Sequence, residues 1–274
     1  MLRKLLKHEF RATGRVMLPL YLVVLLTSLF ANLSIRFGLD AGLNPLVTML
    51  YVLVMMAFVI ALVSVCIITL VLMVRRFYKN LLGDEGYIMF TLPASVHQHV
   101  WSKLIVSVVW FAATAAVVSL AILILAFDVS FVHGIVDVME FVLKRLDFYY
   151  AFNGAAIVAE VLTVAFLSCA VTCLQFYAAL SIGHSFSGRK MLLSVVFFFV
   201  LQFAMQMIVS AVTFGPGAVF MDWLEEAIVG WPTNGGAMAS FHLLMLVSAL
   251  TTLLHGGVYY FLTAFTLRRR LNLE

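Results

Sequence analysis

The sequence predicts an all-α, polytopic membrane protein with six transmembrane helices, and three observations carry that reading. Of 274 residues, 64% are hydrophobic and only 11% are charged, and the mean hydropathy is +1.11. A charged fraction this low leaves too little polar surface for an ordinary water-facing protein. Crossing the hydrocarbon core takes about 20 apolar residues, and such runs recur near 16–35, 46–74, 102–127, 150–182, 191–213 and 238–267. Finally, 14 of the 17 lysines and arginines fall on the side shared by both termini. That asymmetry places both termini in the cytoplasm and requires an even number of spans.

The net charge of +4 does not point to nucleic acid. The basic residues cluster at span ends and form no continuous stripe along the chain, so topology explains them. Residues 1–274 read as a single transmembrane domain with no soluble domain, internal repeat or low-complexity linker.

Residues 1–15 are expected to form an interfacial helix. Leu2, Leu5, Leu6 and Phe10 share one helical face, and Arg3, Lys4, Lys7 and Arg11 fall largely on the other, the pattern of a helix lying against anionic headgroups of the bilayer. The apolar run that follows has no convincing small-residue cleavage site, so the segment is expected to remain in the mature protein. After the second span comes the one long basic loop, RRFYKNLLGDEGYIMFTLPASVHQHVWSK over 75–103. Its apolar groups need cover from headgroups or from another protein's groove. Ser95 and Gln98 match a capping box that opens the third span.

Two outer loops, 129–148 and 214–236, are expected to carry short helices. Ile135, Val138, Met139, Val142 and Leu146 recur at helical spacing beside Asp137, Glu140, Lys144 and Arg145, which suits a helix resting at the outer interface. The second loop is broken by Gly215, Pro216 and Gly217 and by Trp231 and Pro232. A short helix around 222–229 fits between them, with Trp223 and Trp231 in an aromatic belt.

Glu160 is the one acidic residue inside an apolar run. The run after it, Val161 to Ile182, already reaches about 33 Å by helical rise, so Glu160 is expected at the outer boundary. A buried partner such as His242 or a loop arginine, or a proton or substrate site, are the alternatives. His255 lies deep in the sixth span beside Gly256 and Gly257 and reads as a packing histidine or a proton relay. Gln202 and Gln206, one turn apart in the fifth span, either bond across helices or line a substrate path.

Cys66, Cys169 and Cys173 all lie in apolar runs and read as packing residues; a two-thiol site at Cys169 and Cys173 is the weaker alternative. His97 and His99 diverge by about 200 degrees on a helix and do not share a metal from one face. The stretch GHSFSGRK over 183–190 has the outline of a P-loop, but no Ser or Thr follows its lysine and no strand precedes it. With no HExxH, GxSxG or paired aspartates, no enzyme, metal or cofactor is expected.

The loop RRFYKNLLGDEGYIMFTLP, with SIGHSFSGRK at 181–190 and a basic amphipathic helix before the first of six spans, resembles the permease subunits of bacterial ATP-binding-cassette exporters of the second type. The resemblance covers the whole topology and is sharpest in those two stretches. It implies a half-transporter in the bacterial cytoplasmic membrane that pairs with a second permease, itself or a relative, and with separate P-loop ATPase subunits. It also implies a coupling helix in the first cytoplasmic loop, and by position the residues that meet the ATPase are Phe77, Tyr78, Leu81, Asp84, Glu85, Tyr87 and Phe90. Few charges lie in the spans, which favours an amphipathic or lipid-like cargo or a peptide. A proton-coupled secondary transporter, using Glu160 or His255, and a non-transporting assembly or sensor subunit are the competing readings.

Overall fold

The structure, a computed structural model, describes residues 2–37, 44–83, 85–91, 95–127, 153–186, 188–215 and 233–269, with short pieces between 134 and 145 and between 217 and 222. The long elements are α1 (Leu2–Arg36), α2 (Pro45–Phe77), α3 (Glu85–Thr91), α4 (Val96–Ala126), α5 (Gly154–Gly183), α6 (Lys190–Phe214) and α7 (Thr233–Arg269). All but α3 are long and apolar enough to cross a membrane. The expected all-α polytopic fold with six spans is therefore what the chain adopts. The chain divides into two compact units, Met1–Phe77 with Pro93–Val136, and Tyr78–Leu92 with Asp137–Glu274.

The first unit is a bundle of α1, α2 and α4. On α1 the inward residues are Glu9, Thr13, Met17, Tyr21, Val24, Ser28 and Ala31, spaced by three or four and so lying along one face. His99, Lys103, Val106, Trp110 and Thr114 make the matching row on α4, and Val65, Thr69 and Met73 that on α2. Lipid tails are as apolar as leucine, so little hydrophobic force drives spans together, and polar bonds between helices take a larger share. Here they recur along the whole seam. Trp110 Nε1 donates to Thr13 Oγ1 at 2.7 Å, and Tyr21 and Thr114 hydroxyls lie 2.8 Å apart. Thr69 of α2 joins Thr114 at 3.0 Å. Near the far end Asn32 donates to the carbonyls of Leu125 and Phe127 at 3.0 and 3.1 Å. The constant offset of these pairs shows that α1 and α4 run parallel.

The expected interfacial helix is not set apart from the first span, because α1 runs unbroken from Leu2 to Arg36. Its amphipathic pattern has another cause. Leu6 and Phe10 pack on the bundle core, with the Phe10 ring 6.3 Å from that of Trp110. The apolar face is thus already covered by the chain's own helices. At 1.5 Å per residue α1 is about 52 Å long, well beyond the roughly 30 Å of hydrocarbon.

In the second unit α5 packs between α6 and α7. Gln175 Nε2 donates to Gln202 Oε1 at 2.9 Å, and the Phe176 and Phe198 rings stack 4.6 Å apart, which sets α5 and α6 antiparallel. Glu160 meets His242, and a Cβ on Gly256 would lie 3.0 Å from Val171 Cγ2, so α5 and α7 run parallel and close. As expected, Gly256 is where a neighbouring helix approaches.

In the loop where the first of the two short helices is expected, residues 137–142 and 144–145 are helical, with Lys144 Nζ 2.6 Å from Glu140 Oε1. That hydrogen bond and the lysine charge lower the Glu140 carboxyl's proton affinity. Apart from Asp222, the helix expected over 222–229 lies outside the described residues, as do Trp223 and Trp231.

Candidate functional site

The loop after α2 begins with a change of winding. Gly83 N–H reaches back five residues to the Tyr78 carbonyl at 3.0 Å, making Tyr78–Leu82 a π-helical turn. Such turns are uncommon and often sit at functional positions. Gly83 then turns the chain, Gly86 N–H caps back to its carbonyl at 2.8 Å, and α3 follows. Lys79 Nζ pairs with Glu85 Oε1 at 2.9 Å, spanning the break between the π turn and α3.

The second stretch of the resemblance folds onto this turn. His184, just past α5, presents its ring edge to Tyr78 with centroids 5.2 Å apart. Its Nδ1–H donates to the Leu180 carbonyl at 2.9 Å; a carbonyl can only accept, which fixes the tautomer. Burial pushes this imidazole's proton affinity down, the Leu180 carbonyl opposes that shift and the Lys190 charge adds to it. A buried neutral histidine must charge on acidification, so its contribution to stability is present above the ordinary histidine range and is lost as pH falls. Directly before it, Gly183 permits close contact with the start of α6. A Cβ there would lie 2.5 Å from Ser194 N and 2.6 Å from its Cα.

Among the expected coupling residues, Phe77 and Leu81 are fully buried. Leu82 is buried as well, so the chain itself covers much of the apolar loop that seemed to need a partner. Tyr78 is half-buried against His184, Glu85 is paired to Lys79, and Tyr87 is 54% exposed. Asp84 and the side chain of Phe90 lie outside the described residues. The five described positions therefore divide into an inner set that holds the turn and an outer set that is presented.

Of the intramembrane polar residues, Glu160 is not alone at a boundary. His242 Nδ1 lies 2.8 and 2.9 Å from its two carboxylate oxygens, so Glu160 has the partner named among the alternatives, though the two side chains are about one-third exposed rather than buried. Gln202 bonds across helices to Gln175, whereas Gln206, one turn on, is exposed. The His255 Nδ1–H donates within α7 to the Thr251 carbonyl at 2.6 Å. Nothing brings these four residues to one place. Cys66, Cys169 and Cys173 are free thiols, and among the described residues no cluster of three or more His, Cys, Asp or Glu could hold a metal.

Sequence reasoning missed one site. Glu9 is buried and ion-paired to Lys103, itself buried, with Arg76 Nη1 3.9 Å away. Flanked by Lys7 and Arg11, Glu9 reads in sequence as part of a solvated charged face. The available signal was its spacing: it falls four residues before Thr13 and eight before Met17, on the inward row. The capping expectation held at Ser95, whose hydroxyl accepts from Gln98 N at 3.3 Å. In comparisons with protein-family models, curated proteins and solved structures, none matches this chain.

Proposed function

We propose that this chain is the transmembrane permease subunit of an ATP-driven exporter of the second ATP-binding-cassette type. It would work in the bacterial cytoplasmic membrane with both termini inside, beside a second permease, itself or a relative, and separate P-loop ATPase subunits. The cargo that best suits spans rich in large apolar groups and poor in charge is an amphipathic or lipid-like molecule or a peptide.

One observation carries this reading. Between the second and third spans the chain makes a π turn and a short helix that present Tyr87, 54% exposed, beside the Lys79–Glu85 pair. An exposed aromatic ringed by charge is the kind of group that fills a partner's groove. Buried Leu81 and Leu82 in the π turn give that helix a fixed base. The test is a mild-detergent pull-down of the tagged chain with bound proteins identified by mass spectrometry. A stoichiometric P-loop ATPase is expected, and Tyr87→Ala with Glu85→Ala should cut its recovery by about tenfold or more, the scale of one hot-spot residue. Both side chains are surface-exposed, so thermal unfolding of the chain should hardly move. Full recovery of the ATPase with the double variant removes the coupling assignment, and its absence from the wild type removes the function.

A proton-coupled carrier is the competing reading, and the observation in its favour is the Glu160–His242 pair. Purified chain in sealed vesicles that takes up solute on a pH gradient alone would establish it instead.

A further inference from the structure

Glu160 is the seventh residue of α5 and His242 the tenth of α7, so the pair joins two parallel helices within their first three turns. The imidazole Nδ1 faces both carboxylate oxygens at nearly equal distances, 2.8 and 2.9 Å. The side chains remain 35% and 32% exposed for His242 and Glu160, which leaves the pair open to proton exchange. On the three packed helices no other charged residue lies near it. Glu160 is the sole charged residue of α5, the one charged residue of α6 is Lys190 at its opposite end, and α7 carries Arg268 and Arg269 at its opposite end. The remaining ionisable groups on the packed helices, Cys169, Cys173 and Tyr177 of α5 and His255, Tyr259 and Tyr260 of α7, lie more than two turns along.

Charge counting then decides what the pair can bind. A neutral imidazole beside an ionised carboxylate leaves one net negative charge within the apolar spans, where an unneutralised carboxylate is strongly disfavoured. One proton taken from water makes the pair neutral overall, as imidazolium and carboxylate sharing the Nδ1–H, with the second N–H at Nε2. We propose that Glu160 and His242 form a one-proton binding site between α5 and α7, and that loading this proton clasps the N-terminal ends of the two helices. The site stands on its own geometry and does not depend on which force drives transport.

The sign of the effect follows. A proton held more tightly by the folded pair than by the separated side chains stabilises the fold as pH falls, and that stabilisation is lost as pH rises. Histidine gains its charge between about pH 8 and 5. Thermal unfolding of the full chain in detergent, followed over that range, should therefore give a wild-type midpoint that rises by several degrees relative to Glu160→Gln and His242→Gln as pH falls. Glu160→Asp, which keeps the carboxylate, should retain part of the rise. The opposite pH effect of His184 is common to all four proteins and cancels in the difference. Wild-type and variant profiles that run parallel overturn the proposal. If the neutral variants do not fold, nitrogen-15 histidine spectra of the wild type decide. One of the seven imidazoles should stay doubly protonated well above the pH at which the other six have lost the proton, and spectra in which none outlasts the rest overturn the site.

Discussion

Glu9, Lys103 and Arg76 show how a charge can serve a membrane bundle without serving chemistry. A carboxylate taken out of water is tolerated when paired and is costly when its partner is removed. Lys103→Met should destabilise the chain by about 3 to 5 kcal/mol, the usual cost of breaking one side of a buried pair, read as a fall in the detergent unfolding midpoint. Replacing both, Glu9→Leu with Lys103→Met, should cost less than the single change, because no fully buried charge is left unpaired and Arg76, about one-third exposed, still reaches water. A double variant as unstable as the sum of its parts would show that the two groups do not act as a pair. At this scale the sequence is read well where a local rule governs and poorly where a distant residue does. The Ser95 cap depends on a residue three positions away. Glu9 depends on Lys103, 94 residues along, and Glu160 is paired with His242, 82 residues along.

At the scale of elements, the six spans were legible because length and apolarity are set by the bilayer's thickness. The way each helix begins and ends was less so. An amphipathic segment at a helix start has the same pattern whether its apolar face meets lipid or neighbouring helices, and only the packing of Leu6 and Phe10 shows which. The π turn at Tyr78–Leu82 has no sequence signature at all, since it shifts one hydrogen bond register without a proline or an unusual residue. The α5–α6 junction was marked only by its glycine. Gly183→Ala places a methyl against Ser194 backbone, which cannot swing aside as a side chain would. A loss of about 1 to 3 kcal/mol is expected from overpacking, seen as a lowered unfolding midpoint. The equivalent change at Gly257, where nothing lies within 4 Å, should have little effect. Equal effects at the two positions would show that the close approach is not what Gly183 is for.

For the whole molecule, the charge asymmetry makes a prediction independent of any function. In a background without Cys66, Cys169 and Cys173, single cysteines at His8 and Glu140, both on exposed parts of the chain, should react with a membrane-impermeant maleimide from opposite faces of sealed cells. Labelling of both from the same face would overturn the six-span orientation. The sequence by itself determined that the chain is a six-span helical membrane protein with a basic side and a presented loop. Those properties come from composition, run length and charge placement, each a sum over many residues that no single contact can reverse. Only the tertiary structure decided that Phe77 and Leu81 turn inward while Tyr87 is presented, and that α1 belongs to a bundle sewn by Thr13, Trp110, Tyr21, Thr114 and Thr69. It likewise decided that Glu160 faces His242. These outcomes depend on which helices become neighbours and in what register, and a one-dimensional pattern of apolar runs leaves that open, because almost any pair of spans buries apolar surface equally well.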